Sequence, residues 1–120
     1  MGRMIHEFPL PPSGNRYWRH VRGRVIISAE AEQYRAVVKM LANCDRVTQL
    51  TGPVAVTVNV FRARKAGDLD NRLKVLLDAA QGVFYENDAQ IRELHAYLHD
   101  DKHHPRVEIS VQSIQSTERK

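Results

Sequence analysis

The sequence predicts an α+β fold: a single two-layer domain in which one mixed β-sheet carries two main helices on one face. Three observations predict it. Residues Val54 to Phe61 alternate strictly, with Val54, Val56, Val58 and Val60 on one side of a strand. Two further stretches, around Tyr34 to Leu41 and Leu69 to Ala80, place apolar residues at helical spacing. The remaining apolar runs are short and bounded by turn residues, giving the order β, short β, α, β, α, β, β. A chain of 120 residues suits one such domain and is too short for two. The domain is expected over 1–112, with a polar, frayed tail over 113–120.

Taken in order, Met4 to Leu10 alternates loosely through Ile5, Phe8 and Leu10 and reads as an edge strand ending at Pro11-Pro12. Pro11-Pro12-Ser13-Gly14-Asn15 is a turn signal. It leads into Arg16-Tyr17-Trp18-Arg19-His20-Val21-Arg22-Gly23-Arg24, a basic segment with two aromatic residues. Guanidinium groups pair with phosphates and flat rings stack on unpaired bases, so this mixture suits a nucleic-acid surface. The plainer alternative has Tyr17 and Trp18 covering the core while the arginines are solvated. We assign the arginines to a polyanion and leave the rings open.

Val25 to Ile27 can form a short strand. Ser28 then caps a helix whose first turn carries Glu30 and Glu32, the charge that end of a helix dipole favours. Tyr34, Val37, Val38 and Leu41 make its buried stripe, and it is expected to run to about Asn43. Cys44, the only cysteine, is expected to pack as a small apolar side chain at the helix end; alone, it forms neither an internal disulfide nor a cysteine-rich zinc site. Thr51-Gly52-Pro53 ends the connector to the valine strand. After that strand, Arg62, Arg64 and Lys65 stand just ahead of a group of acids, where they can clamp phosphates on either side of a scissile bond; hairpin-like solvated charge is the plainer alternative, and the neighbouring acids favour the first.

The acids lie in Gly67-Asp68-Leu69-Asp70-Asn71-Arg72-Leu73-Lys74, with Asp88 further on. If the chain is extended there, Asp68 and Asp70 leave one side of it. Leu69, Leu73, Leu76, Leu77 and Ala80 follow helical spacing, and Asp70 or Asn71 is a good cap. Lys74 then lies one turn above Asp70 on the same face. Gly82 closes the helix, and Asp88 falls in a polar turn before the next strand. Neighbouring carboxylates repel unless a cation joins them, and Mg²⁺ takes oxygen ligands of this kind. An ordinary helix cap with a surface Asp70–Lys74 pair explains the same spacing. Spacing leaves both readings standing, and Asp88 contributes only if the fold brings it near.

Ile91 to Leu98 reads as a strand with Leu94, Ala96 and Leu98 alternating; Asp100 to Pro105 is a turn, and Val107, Ile109 and Val111 mark a last strand that Pro105 can begin. His95, His99, His103 and His104 have no cysteine beside them and are read as exposed side chains rather than metal ligands.

Charge is unevenly distributed. Residues 1–66 carry eleven Lys and Arg against four Asp and Glu, whereas 67–120 carry seven against ten. A basic surface leading to an acidic pocket is what a protein acting on a polyanion needs, although solvated faces of a small domain give the same asymmetry. No apolar run is long enough for a membrane span, nor is there a signal-peptide core, so the cytoplasm is the default expectation.

The chain resembles the RusA endodeoxyribonucleases, Holliday junction resolvases of phages and prophages. Pro11-Pro12-Ser13-Gly14-Asn15-Arg16-Tyr17-Trp18-Arg19-His20, then Asp68-Leu69-Asp70-Asn71 with Lys74, then Asp88-Ala89-Gln90 match in order and at similar spacing. The resemblance implies a RusA-like fold and a homodimer that binds four-way branched DNA and cuts two opposed strands, with Mg²⁺ as cofactor and Mn²⁺ as a possible substitute. Asp68, Asp70 and Asp88 are implied as catalytic, metal-binding acids and Lys74 as the catalytic lysine. With the basic pattern, it marks Asn15, Arg16, Tyr17, Arg19, His20, Arg22, Arg24, Arg62, Arg64, Lys65 and Asn71 as the DNA-binding set. One departure is Asn87 beside Asp88, where relatives often carry a second acid. Two rival functions stand beside this one: a non-catalytic DNA-binding module, and a metal-dependent nuclease acting on other branched or single-stranded nucleic acid.

Overall fold

The computed structural model describes residues 5–12, 18–63 and 69–114. In chain order the elements are β1 (His6–Phe8), β2 (Trp18–Val21), β3 (Arg24–Ile27), α1 (Ala29–Cys44), β4 (Val54–Arg62), α2 (Leu69–Ala80), a 3₁₀ turn (Asp88–Gln90), β5 (Ile91–Asp100) and β6 (Arg106–Ser113). Four strands form one sheet in the spatial order β1, β6, β4, β5. β6 runs antiparallel to both β1 and β4, and β5 lies parallel to β4. The expected fold class holds: a mixed sheet and two helices in one α+β domain.

β4 is the centre. Val54, Val56, Val58 and Val60 are all fully buried, beneath Tyr34, Val38 and Ala42 of α1 and Val75, Leu76 and Ala79 of α2. Phe8, Val107 and Ile109 extend this layer across β1 and β6. Each buried valine stabilises the fold by roughly 1.5–3 kcal/mol. Val58→Ala should therefore cost about 2 kcal/mol and lower the thermal midpoint by roughly 5–10 °C, read by circular dichroism. A midpoint within a degree of the parent would mean that β4 is not the core strand.

α1 begins as expected, with the Ser28 side chain accepting from the Ala31 N–H at 3.1 Å. Its end differs. Cys44 is exposed, because Tyr34, Val38 and Ala42 define the buried face and a residue two beyond Ala42 is turned about 200° away. α2 also starts earlier than the expected cap. It begins at Leu69, so Asp70 and Asn71 lie within its first turn rather than ahead of it. Leu69 and Leu73 both pack against the core, and extending the helix back to Leu69 brings both to that face. Gly82 ends the helix as expected, with a left-handed φ of 87° that glycine adopts without strain.

Two strand features go beyond the sequence reading. β2 was not expected. It pairs with β3 as a separate two-stranded ribbon, Trp18 opposite Ile27 and Val21 opposite Arg24. Arg22 and Gly23 form its two-residue turn, both with positive φ, as a hairpin that matches strand twist requires. β6 runs through Ser113, opposite Val54, and the Ile114 N–H donates to the Pro53 carbonyl at 3.0 Å. Pairing thus extends beyond residue 112, and the rest of the expected tail, 115–120, lies outside the described residues.

β5 forms one edge of the sheet. Register puts Leu94, Ala96 and Leu98 level with Val56, Val58 and Val60 on the helix-covered face. Even so, Leu94 is 42% and Leu98 36% exposed, and Tyr97 on the other face is 51% exposed. The helices bury the valines of β4 completely but leave these side chains of β5 open to solvent. Among the described residues, no helix is long and apolar enough to cross a membrane.

Candidate functional site

The described site residues of the β4–α2–β5 unit fall at its two ends. One end is where β4 finishes and α2 starts. Here Lys74 is exposed on α2, four residues after Asp70 and so one turn along the same helix. Asp68, Arg64 and Lys65 lie outside the described residues, as do the side chains of Asp70 and Asn71. Arg62, the last residue of β4, donates from Nε to Asp100 at 2.8 Å.

This end also receives the chain that leaves β1. The Tyr34 hydroxyl donates to the Pro9 carbonyl at 2.8 Å, and Nη1 of Arg72 donates to the Pro11 carbonyl. Pro9 and Pro11 are thereby tied to α1 and to the first turn of α2. Arg22 and Arg24 are exposed at the ribbon's turn. Arg19 and His20 belong to β2, with side chains outside the described part, and Asn15, Arg16 and Tyr17 lie outside it altogether. Arg72 was not singled out by the sequence reading. Its signal was its place within the Asp70–Lys74 turn, where a cation can serve the backbone of another element instead of a phosphate.

Asp88 stands at the other end, exposed in the 3₁₀ turn ahead of β5. The turn is closely tied. The Asn87 side chain accepts from the Ala89 N–H at 2.8 Å, and Gln90 Oε1 accepts from the Glu86 and Asn87 N–H groups at 2.9 and 3.0 Å. Asn87 therefore acts as a helix cap, work that needs a side-chain oxygen and not a charge. Gln81 Oε1 accepts from the Asp88 N–H at 3.3 Å. Beneath lies Tyr85, fully buried, its hydroxyl donating to the Leu77 carbonyl at 2.9 Å. Burial, and after it the carboxylates of Asp88 and Asp78, push its phenol well above the ordinary tyrosine range.

The two ends do not meet within one chain. Asp88 lies three residues before Ile91, which pairs with Val54 at the start of β4, whereas Arg62 and Asp100 are partners at its finish. Between two parallel neighbours the connecting helix must run back the length of the sheet. Asp70 is in the first turn of α2, and Asp88 is bonded to Gln81, directly after its last turn. A helix of 12 residues is about 18 Å long. Carboxylates that share a cation at about 2 Å must approach one another to within about 4–5 Å. Among the described residues, no three His, Cys, Asp or Glu side chains gather around a possible metal position.

His95, His99 and His104 are exposed, as expected, and are engaged with Glu93, Asn59 and Glu7 respectively. A cavity of 190 Å³ between β1 and the end of α1, lined by His6, Asp45, Leu50 and Phe84 among others, contains none of the predicted residues. Of the described candidate groups, Arg22, Arg24, Lys74 and Asp88 are exposed and Arg62 is half-buried.

Among the described residues, fold and surface define a small α+β domain with an exposed carboxylate at Asp88, an exposed amine at Lys74 and exposed arginines at the turn of the ribbon. Residues 9–112 match the family described as endodeoxyribonuclease RusA. Relatives named crossover junction endodeoxyribonuclease RusA are 41% identical in Shigella sonnei (strain Ss046) and 40% identical in both Escherichia coli (strain K12) and Enterobacteria phage 82. Each comparison spans 86 residues, 69% of this chain and 72% of the relative. The chain belongs to the RusA family.

Proposed function

We propose that this chain is a structure-specific endodeoxyribonuclease that resolves four-way DNA junctions as a homodimer, by paired nicks in opposed strands, with Mg²⁺ or Mn²⁺ as cofactor. The family match carries the reading, since it spans residues 9–112 and so takes in Asp68, Asp70, Lys74 and Asp88. The donors are all carboxylate oxygens, which suit a hard divalent cation. Such a cation, when bound, neutralises charge on the phosphate and lowers the pKa of a water.

The chain's own residues have distinct tasks. Asp68 and Asp70 hold the cation from the start of α2. Lys74, on the Asp70 face of that helix, meets the charge that grows on the phosphate in the transition state. Arg22 and Arg24 on the ribbon bind backbone phosphates, which makes affinity fall steeply with salt. Asp88 completes the site from the other protomer. β5 is a long, open edge carrying exposed Leu94, Tyr97 and Leu98, the kind of edge that pairs with another strand. If β5 pairs antiparallel with its own copy, the two-fold axis sets the start of one β5 beside the finish of the other. The start carries Asp88; the finish lies at the end of the sheet where α2 begins. Two such composite sites match a branched substrate that is itself nearly two-fold.

The test is a labelled mobile four-way junction incubated with the protein, with and without Mg²⁺, beside a linear duplex of matched sequence. Symmetric nicks in the junction alone, and only with metal, are expected. Junction binding without any cleavage in Mg²⁺ or Mn²⁺ would leave a DNA-binding module and overturn the reading.

A further inference from the structure

Gln90 follows Asp88 by two residues and spends its whole amide on backbone. Oε1 accepts from Glu86 and Asn87, closing the turn locally. Nε2 donates to the carbonyls of Leu50 and Gly52, both at 2.9 Å. A glutamine amide has two acceptor and two donor positions, and all four are used here. The orientation is unambiguous, because a flipped amide would face N–H with N–H and carbonyl with carbonyl.

A local capping role accounts for only half of this. The capping box of the 3₁₀ turn needs Oε1 and nothing more. The Nε2 bonds reach 38 and 40 residues back, to the connector entering β4. That connector is anchored in turn, since the Leu50 N–H donates to the Phe84 carbonyl at 2.9 Å. Gln81 supplies a second tie, from the end of α2 to the Asp88 N–H. Asp88 itself is exposed, on a three-residue turn that has no buried residue of its own.

We propose that Gln90 is a positioning residue for Asp88: its amide fixes the turn that carries the carboxylate against the Leu50–Gly52 connector, so that Asp88 is presented in one place to the metal. The inference rests on the proposed metal role of Asp88. A ligand's supporting hydrogen bonds are typically worth about 10–100-fold in metal affinity or activity.

Gln90→Met keeps the length and removes every bond; Gln90→Glu keeps the acceptors and sets a carboxylate against two carbonyls. Four quantities are measured beside wild type and Asp88→Asn: single-turnover nicking across a Mg²⁺ titration, Mn²⁺ binding followed by the electron spin resonance of free Mn²⁺, metal-free junction binding, and amide exchange at Glu86 and Asn87. Gln90→Met should nick about 10–100-fold more slowly and bind Mn²⁺ more weakly by a similar factor. Exchange at Glu86 and Asn87 should quicken while junction binding stays within about twofold of wild type. Gln90→Glu should share the defect, because its carboxylate offers the Leu50 and Gly52 carbonyls no donor. Wild-type nicking and Mn²⁺ binding by Gln90→Met, with Asp88→Asn inactive, would overturn this inference alone. A loss that tracks the thermal midpoint with Mn²⁺ affinity unchanged would overturn it too, by making Gln90 purely structural. Full activity in Asp88→Asn would instead sink the reading of Asp88 on which it depends.

Discussion

Mixing Asp70→Asn protomers with Asp88→Asn protomers should restore nicking that neither variant has alone. Each pure variant disables both sites of its dimer. In a mixed dimer with composite sites, one site receives both substitutions and the other receives neither. Random exchange makes about half the dimers mixed, each with one intact site, so nicking should return to about a quarter of the wild-type level. Paired resolution should not return, because a dimer with one working site cuts one strand. If each protomer instead assembled its own site, every site in the mixture would lack one acid and nicking would stay at background. The measurement is a denaturing gel for nicks and a native gel for resolved arms, after co-refolding to exchange subunits. The expected contrast follows from the distance along α2: Asp70 occupies its first turn and Asp88 is tied to the residue after its last.

Asp70→Asn alone should abolish turnover while leaving the substrate bound. Replacing a carboxylate ligand by an amide keeps the shape and removes the charge that holds a cation. The cation's contribution is several kcal/mol, so a loss of about 4 kcal/mol corresponds to roughly a thousandfold in rate. Binding to the junction, measured by gel shift without metal, should be unchanged or tighter, since an anionic group near phosphate has become neutral. Losing rate and metal-free affinity together would indicate damage to the fold, and turnover near the wild-type rate would remove Asp70 from the metal site.

Periodicity carried most of the architecture, and tertiary context accounts for what it missed. The alternation of Val54 to Val60 identified the central strand because both neighbours and a helical layer bury one face of it completely. Ser28 and the stripe below it identified α1 for a similarly local reason. β2 was illegible. Its residues, Trp18 to Val21, alternate no apolar side, and the turn is Arg22-Gly23 in place of the Asn-Gly or Asp-Gly that usually signals a hairpin. The same alternation that identified β5 gave no hint that Leu94 and Leu98 would be exposed, because helix coverage depends on where α1 and α2 lie across the sheet.

The candidate site was legible as chemistry and illegible as geometry. Asp68, Asp70, Lys74 and Asp88 stand within 21 residues of sequence. In space, a parallel crossover sends the chain from one end of the sheet to the other between Asp70 and Asp88. Linear spacing cannot report that. Gln90 and Arg72 were missed for a related reason: their partners, Leu50, Gly52 and Pro11, are 38 to 61 residues away.

The position of β6 has a consequence for how the molecule comes into being. The last strand of the sheet to be synthesised is an interior one, wedged between β1 and β4. Until it is made, β4 has an open flank and β1 has no partner, with His6 waiting for Ile109. Contacts this distant in sequence form slowly, because the chain must close a long loop before any pairing rewards it. During translation the valine strand therefore keeps one unpaired edge until β6 has slotted into the sheet. A chain that stops before Arg106 can still pair β4 with β5, but it lacks the strand that joins β1 to the rest of the sheet.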